Sequence, residues 1–174
     1  MSVSGIDFAS LSLLDAFDLA ILIEDEAKER YEEFAEQMEL HHTPEAAGFF
    51  RLMAGNEAKH GAQLSQQRRQ RFGDAPRAVT RAMLWDVEAP DYDQARAFMT
   101  ARQAMEEALR CEEKAHAFFV AALPQLRDAG VRELFAELRD EEVLHQTLVK
   151  DELAKLPPEP AVRADDFEDE PTAQ

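Results

Sequence analysis

The chain of 174 residues carries a formal net charge of −17, 45% hydrophobic residues and a single cysteine, Cys111. That charge argues against nucleic acid and against an anionic membrane, both of which reward clustered Lys and Arg, and it favours a cationic ligand. One cysteine excludes an intrachain disulfide and a four-cysteine iron site, the length suits one domain, and a reducing cytoplasm is the expected compartment.

Six glycines against many Ala, Leu, Glu, Gln and Arg predict helix throughout, with no alternating strand pattern. No apolar run approaches the roughly 20 residues that a spanning helix needs, and Met1 to Ser10 lacks a basic leader, so neither membrane insertion nor export is expected. Ser12 and Asp15 resemble a capping box after a loose lead-in, opening a first helix from about Leu13 to about Leu40. Its apolar stripe Leu14, Phe17, Ile21, Phe34 and Met38 also carries Glu24 and Tyr31. Thr43-Pro44 reads as an N-cap and first position of a second helix, which runs to about Arg71 before Gly73.

Residues from Phe72 to about Asp91 contain Pro76 and Pro90 and no sustained period, so a crossover of roughly 20 residues is expected, with a short helical turn around Val79 to Trp85. A third helix is expected from near Asp91 or Asp93 to the vicinity of Leu123, and a fourth from after Asp128-Ala129-Gly130 to Leu156. Residues 1–156 then form the folded domain, and 157–174, with four prolines and six acidic residues, form an acidic disordered tail.

The chain repeats itself. Ala20 to Tyr31 lays over Ala108 to Phe119, and Phe50 to Leu64 lays over Phe135 to Val149. Each half is a helical hairpin with one glutamate on its first helix, Glu24 or Glu112, and a Glu-x-x-His on its second, Glu57 with His60 or Glu142 with His145. Three residues make about one helical turn, so Glu and His leave the same face. The sequence offsets, 57 − 24 = 33 and 142 − 112 = 30, bring the two carboxylates of each hairpin to similar heights. The crossover, at roughly 3.3 Å per extended residue, can return along a bundle of about 40 Å and leave helices two and three parallel.

Four glutamates converging in an apolar bundle would repel one another and be desolvated. Two divalent cations cancel their charge, with His60 and His145 as neutral donors. Oxygen and nitrogen ligands without thiolate suit iron first and manganese second. Glu57, Glu142 and Tyr31 are the candidate catalytic residues. Tyr31 either points its hydroxyl at a carboxylate of the facing half or simply packs, as its counterpart Phe119 must. His116 reads as a rim residue, Cys111 as a buried one, and Glu106, Glu107, Glu113, Glu141, Glu26 and Asp25 as solvated helix faces.

This pattern over Leu11 to Leu156 resembles the ferritin-like di-iron carboxylate proteins, nearest to the rubrerythrin group. The resemblance implies a ferritin-like four-helix bundle of two hairpins joined by a long crossover. It implies that Glu57 and Glu142 bridge two iron ions, that Glu24 and Glu112 are terminal carboxylates, and that each histidine caps one iron. It also implies reaction of the ferrous pair with peroxide or dioxygen, in peroxide reduction or Fe(II) oxidation. Rubrerythrins usually carry a further glutamate where Ala115 stands, and a cysteine-bound module this sequence lacks, so electrons are expected from a separate donor or from Fe(II) itself. A non-catalytic module that binds or delivers iron or manganese is the alternative. Apolar residues outside the site, Phe8, Leu11, Trp85 and Phe98, suggest a homodimer.

Overall fold

In the computed structural model, which describes residues 6–77, 79–81 and 100–158, four helices follow one another: α1 (Leu13–Leu40), α2 (Pro44–Phe72), α3 (Ala101–Ala122) and α4 (Ala129–Leu153). α1 packs chiefly on α2 and α3 on α4, as two hairpins. There is no strand among the described residues, and no helix among them is long and apolar enough to cross a membrane.

The helix ends follow from local chemistry. Ser12 caps α1 by accepting from the Asp15 N–H at 3.1 Å, and its hydroxyl donates to the Asp15 carboxylate at 2.6 Å, where a full capping box would engage the Ser12 backbone N–H. Thr43 departs from expectation: its hydroxyl donates to the Met38 carbonyl at 2.9 Å instead of capping α2, so it ties off the end of α1. Gly73 ends α2 with φ +61°, a conformation costly for residues with a Cβ. α3 starts later than expected, because Thr100 and Gln103 form a reciprocal capping box that fixes Ala101 as its first residue. The expected start at Asp91 or Asp93 lies outside the described residues, as do Trp85, Phe98 and most of the acidic tail. At its other end α3 stops at Ala122 and passes into a 3-10 turn, Leu123–Gln125. α4 ends at Leu153, short of Leu156, where Arg102 donates to the carbonyls of Leu153, Leu156 and Pro157 at 3.3, 2.6 and 2.9 Å.

Two apolar clusters fill the bundle. One gathers Phe17, Ile21, Leu64, Phe118, Phe135 and Leu138; the other gathers Phe34, Met38, Phe50, Met53, Met105 and Val149. Each large side chain buried there contributes about 1.5–3 kcal/mol. Along α1 and α4 the first cluster precedes the second, whereas along α2 and α3 the order is reversed. α2 and α3 therefore run in the same direction, so the end of α2 and the start of α3 lie at opposite ends of the bundle. Phe72 and Val79 pack on the first cluster and Ala101 on the second.

Phe8 corrects the expectation of a loose lead-in and of a free face. It is 4% exposed and meets Phe118 edge to face at a centroid distance of 5.6 Å, and Leu11 packs on the same cluster. A second unforeseen feature is Asp18, fully buried amid the apolar run Phe17–Ile23. Arg68 of α2 clamps its carboxylate with two hydrogen bonds, one from Nη2 at 3.1 Å, and the Nε of Arg77 stands 3.5 Å away. The lone acid in that apolar run was the available signal.

Candidate metal centre

Between the two apolar clusters lies a polar layer. On α1 it falls between Ile23 and Tyr31, on α2 between Ala54 and Leu64, on α3 between Ala108 and Phe118, and on α4 between Leu138 and Val149. Those intervals contain Glu24, Glu57 with His60, Glu112, and Glu142 with His145. All four glutamates and His145 are at most 6% exposed, and His60 is partly open with 24% of its side chain accessible. α1 and α2 come close at this height: a Cβ on Gly61 would stand 3.5 Å from the Cβ of Glu24.

The two Glu-x-x-His turns face each other. The rings of His60 and His145 stack with centroids 5.3 Å apart. His145 Nδ1 lies 3.3 Å from Glu57 Oε1 and 3.5 Å from Glu112 Oε2, so it spans carboxylates of both hairpins. His60 Nδ1 lies 3.8 Å from Glu24 Oε2, 4.0 Å from Glu57 Oε2 and 3.9 Å from Glu141 Oε2. Three sets, Glu57–His60–His145, Glu24–His60–Glu141 and Glu112–Glu142–His145, each offer three donor atoms within 4.8 Å of one another. All six residues expected from the sequence thus fall within these sets.

Tyr31 does more than pack. Its hydroxyl donates to Glu112 Oε1 across the bundle, and its ring stacks on Phe50 at 6.0 Å. Burial, and then the negative charge of Glu112, push the phenol well above its ordinary value, so it stays protonated as a donor. Burial alone would raise the Glu112 carboxyl, but hydrogen bonds with His145, Glu142 and Tyr31 outweigh it and hold Glu112 below the usual range. For His145, burial pulls the imidazole down, but the Glu112 hydrogen bond and the charges of Glu112, Glu24 and Glu141 raise it overall. Burial lowers His60, helped by the charges of His145 and Lys59.

The residues fit a pair of metal ions. Two donors each about 2.1 Å from one ion lie between about 3 Å apart, at right angles, and about 4.2 Å apart, on opposite sides. The separations of 3.3 to 4.0 Å around the histidines fall in that window. His60 Nδ1 is moreover buried without a hydrogen-bond partner, an expensive condition for an imidazole nitrogen unless a cation completes it.

Glu141 is the residue that sequence reasoning missed. Its periodicity assigns it to a solvated face, yet its carboxylate turns inward beside His60, and burial raises its proton affinity. His116 and Cys111 belong to none of the three donor sets, and Cys111 is buried.

Residues 15–153 match the family model for rubrerythrin. The crystal structure of an uncharacterised conserved protein from Magnetospirillum magnetotacticum MS-1 is 27% identical, with a TM-score of 0.71 over 88% of this chain and the whole of that one. No curated protein matches the chain.

Proposed function

The chain belongs to the rubrerythrin family, and on that premise we propose that it is a di-iron carboxylate protein that oxidises Fe(II) or reduces peroxide. Glu24, Glu57, His60, Glu112, Glu142 and His145 would hold the two ions. The observation that carries this reading is the convergence of donors from all four helices on one layer closed above and below by apolar clusters. Ferrous ions bound there would supply one electron each, and H₂O₂ needs two electrons and two protons to become two waters.

The chain's own residues prepare the site for that chemistry. Glu57 and Glu142 come from the two helices that also bring the histidines, and they would be the carboxylates shared between the two ions. Glu24 and Glu112 approach from the other two helices as terminal carboxylates. Tyr31 holds one oxygen of Glu112 and so fixes which oxygen remains to bind a cation. The flanking phenylalanines and methionines keep bulk water from the ends of the layer, which strengthens every charge interaction within it. Manganese would satisfy the same donors.

Protein loaded with Fe(II) without air should take up two ions per chain and develop near-ultraviolet charge-transfer absorption on adding H₂O₂ or air. Uptake of two ions with no consumption of either oxidant would turn the reading to iron or manganese buffering and delivery. Absence of uptake would remove the dimetal reading altogether.

A further inference from the structure

The site is closed at both ends of the bundle, so a cation must reach it from the side. The donors differ in how much they face solvent. Glu24, Glu57, Glu112, Glu142 and His145 are buried, whereas His60 exposes 24% of its side chain and Glu141 36%. These two share a small cavity of about 40 Å³ between α2 and α4, rimmed by Gln63, Gln67 and Glu137. A volume of that size admits a few water molecules or a cation.

The repeat makes the asymmetry chemical as well as geometric. Glu142 matches Glu57, so the residue before it, Glu141, matches Asn56. Only the His60 side receives an added carboxylate. The Glu141 oxygen stands 3.9 Å from the buried His60 Nδ1 that no hydrogen bond satisfies, and it completes a set of three with Glu24. On the other side, Tyr31 holds Glu112.

Resting on the dimetal reading, we propose that Glu141 is a seventh donor of the site. It holds, with Glu24 and His60, the cation on the His60 side, and it forms the lateral opening through which that cation exchanges with solvent. The two cation positions are accordingly unequal: one is sealed, and one is gated by a half-exposed carboxylate.

The test is air-free equilibrium titration of the full chain with Co(II), read by its visible absorption, together with the rate at which EDTA strips the bound metal. Wild type should bind two ions. Glu141→Gln, which keeps size and removes charge at a half-exposed position, should still bind two, but one about tenfold or more weaker and faster to leave. Glu137→Gln, on the rim but outside the donor set, should leave both affinities unchanged. A wild type that binds no Co(II) overturns the dimetal reading itself. A two-site wild type with Glu141→Gln unchanged, or with Glu137→Gln equally weakened, overturns the role of Glu141 alone.

Discussion

His60 and His145 stack across the candidate site with planes only 10° from parallel, and their surroundings drive their proton affinities apart. Burial and the charge of its partner depress His60. His145 is buried too, but hydrogen-bonded to Glu112 and facing several carboxylates, so it is raised above the ordinary 6.5. In the metal-free protein His60 is therefore the weaker base, and His145 holds a proton more tightly, where it offsets part of the carboxylate charge. Both must be neutral to bind metal.

Metal uptake at pH 6.5 and below, where a raised His145 still mostly holds its proton, should therefore expel that proton, with affinity rising with pH and levelling off above the raised value. For the metal-free fold the sign is opposite. A raised folded-state value contributes stability that is present below 6.5 and lost as pH rises through the raised value. Titration calorimetry in buffers of different ionisation enthalpy checks this; proton release that is nil at pH 6.5 would contradict it.

Tyr31→Phe keeps the ring that stacks on Phe50 and removes the hydroxyl that Glu112 accepts from. The counterpart Phe119, fully buried in the opposite apolar cluster, shows that a phenylalanine fits the equivalent position of the repeat. The loss expected is that of a hydrogen bond to a charged group, about 1.5–3 kcal/mol in the metal-free protein. Urea denaturation measures it, and the variant should still bind two metal ions per chain.

The bundle and the meeting of six Glu and His side chains in one layer were legible because they depend on spacing that recurs. Glu-x-x-His at two corresponding places, each preceded by a glutamate at a similar offset, survives the folding of each hairpin unchanged. Glu141 was illegible because helical periodicity identifies the centre of a stripe and is silent on its flanks. A residue one step before Glu142 sits beside the stripe, and only the packing of α4 against α2 decides whether it meets His60 or water. Phe8 and Thr43 escaped for a related reason: both act through partners on another element or an earlier turn, Phe118 and the Met38 carbonyl. The Asp18–Arg68 pair joins residues fifty positions apart, which no local pattern encodes.

That pair yields a stability prediction remote from the metal layer. Arg68→Ala would leave a fully buried carboxylate among Phe17, Leu19 and Ile21, with Arg77 as its remaining cationic neighbour. Breaking one half of a buried pair costs about 3–5 kcal/mol, and Arg77 should hold the loss near about 3 kcal/mol. Thermal denaturation should show it at unchanged metal stoichiometry. A variant as stable as wild type would mean that the Arg68 contact with Asp18 contributes nothing to the fold.

Metal itself should be the largest stabiliser. The layer between the clusters gathers Glu24, Glu57, Glu112 and Glu142, which in the metal-free protein repel one another or bind protons at a cost. A cation bound by the folded chain alone contributes about 2.7 kcal/mol when present at a hundred times its dissociation constant. Two such sites in a domain of this size correspond to a rise in Tm of about 10 °C or more. Calorimetry of Mn(II)-loaded protein before and after EDTA reads that difference without any redox chemistry. Equal melting temperatures would mean that the carboxylates of the layer hold no cation in the fold, whatever their separations.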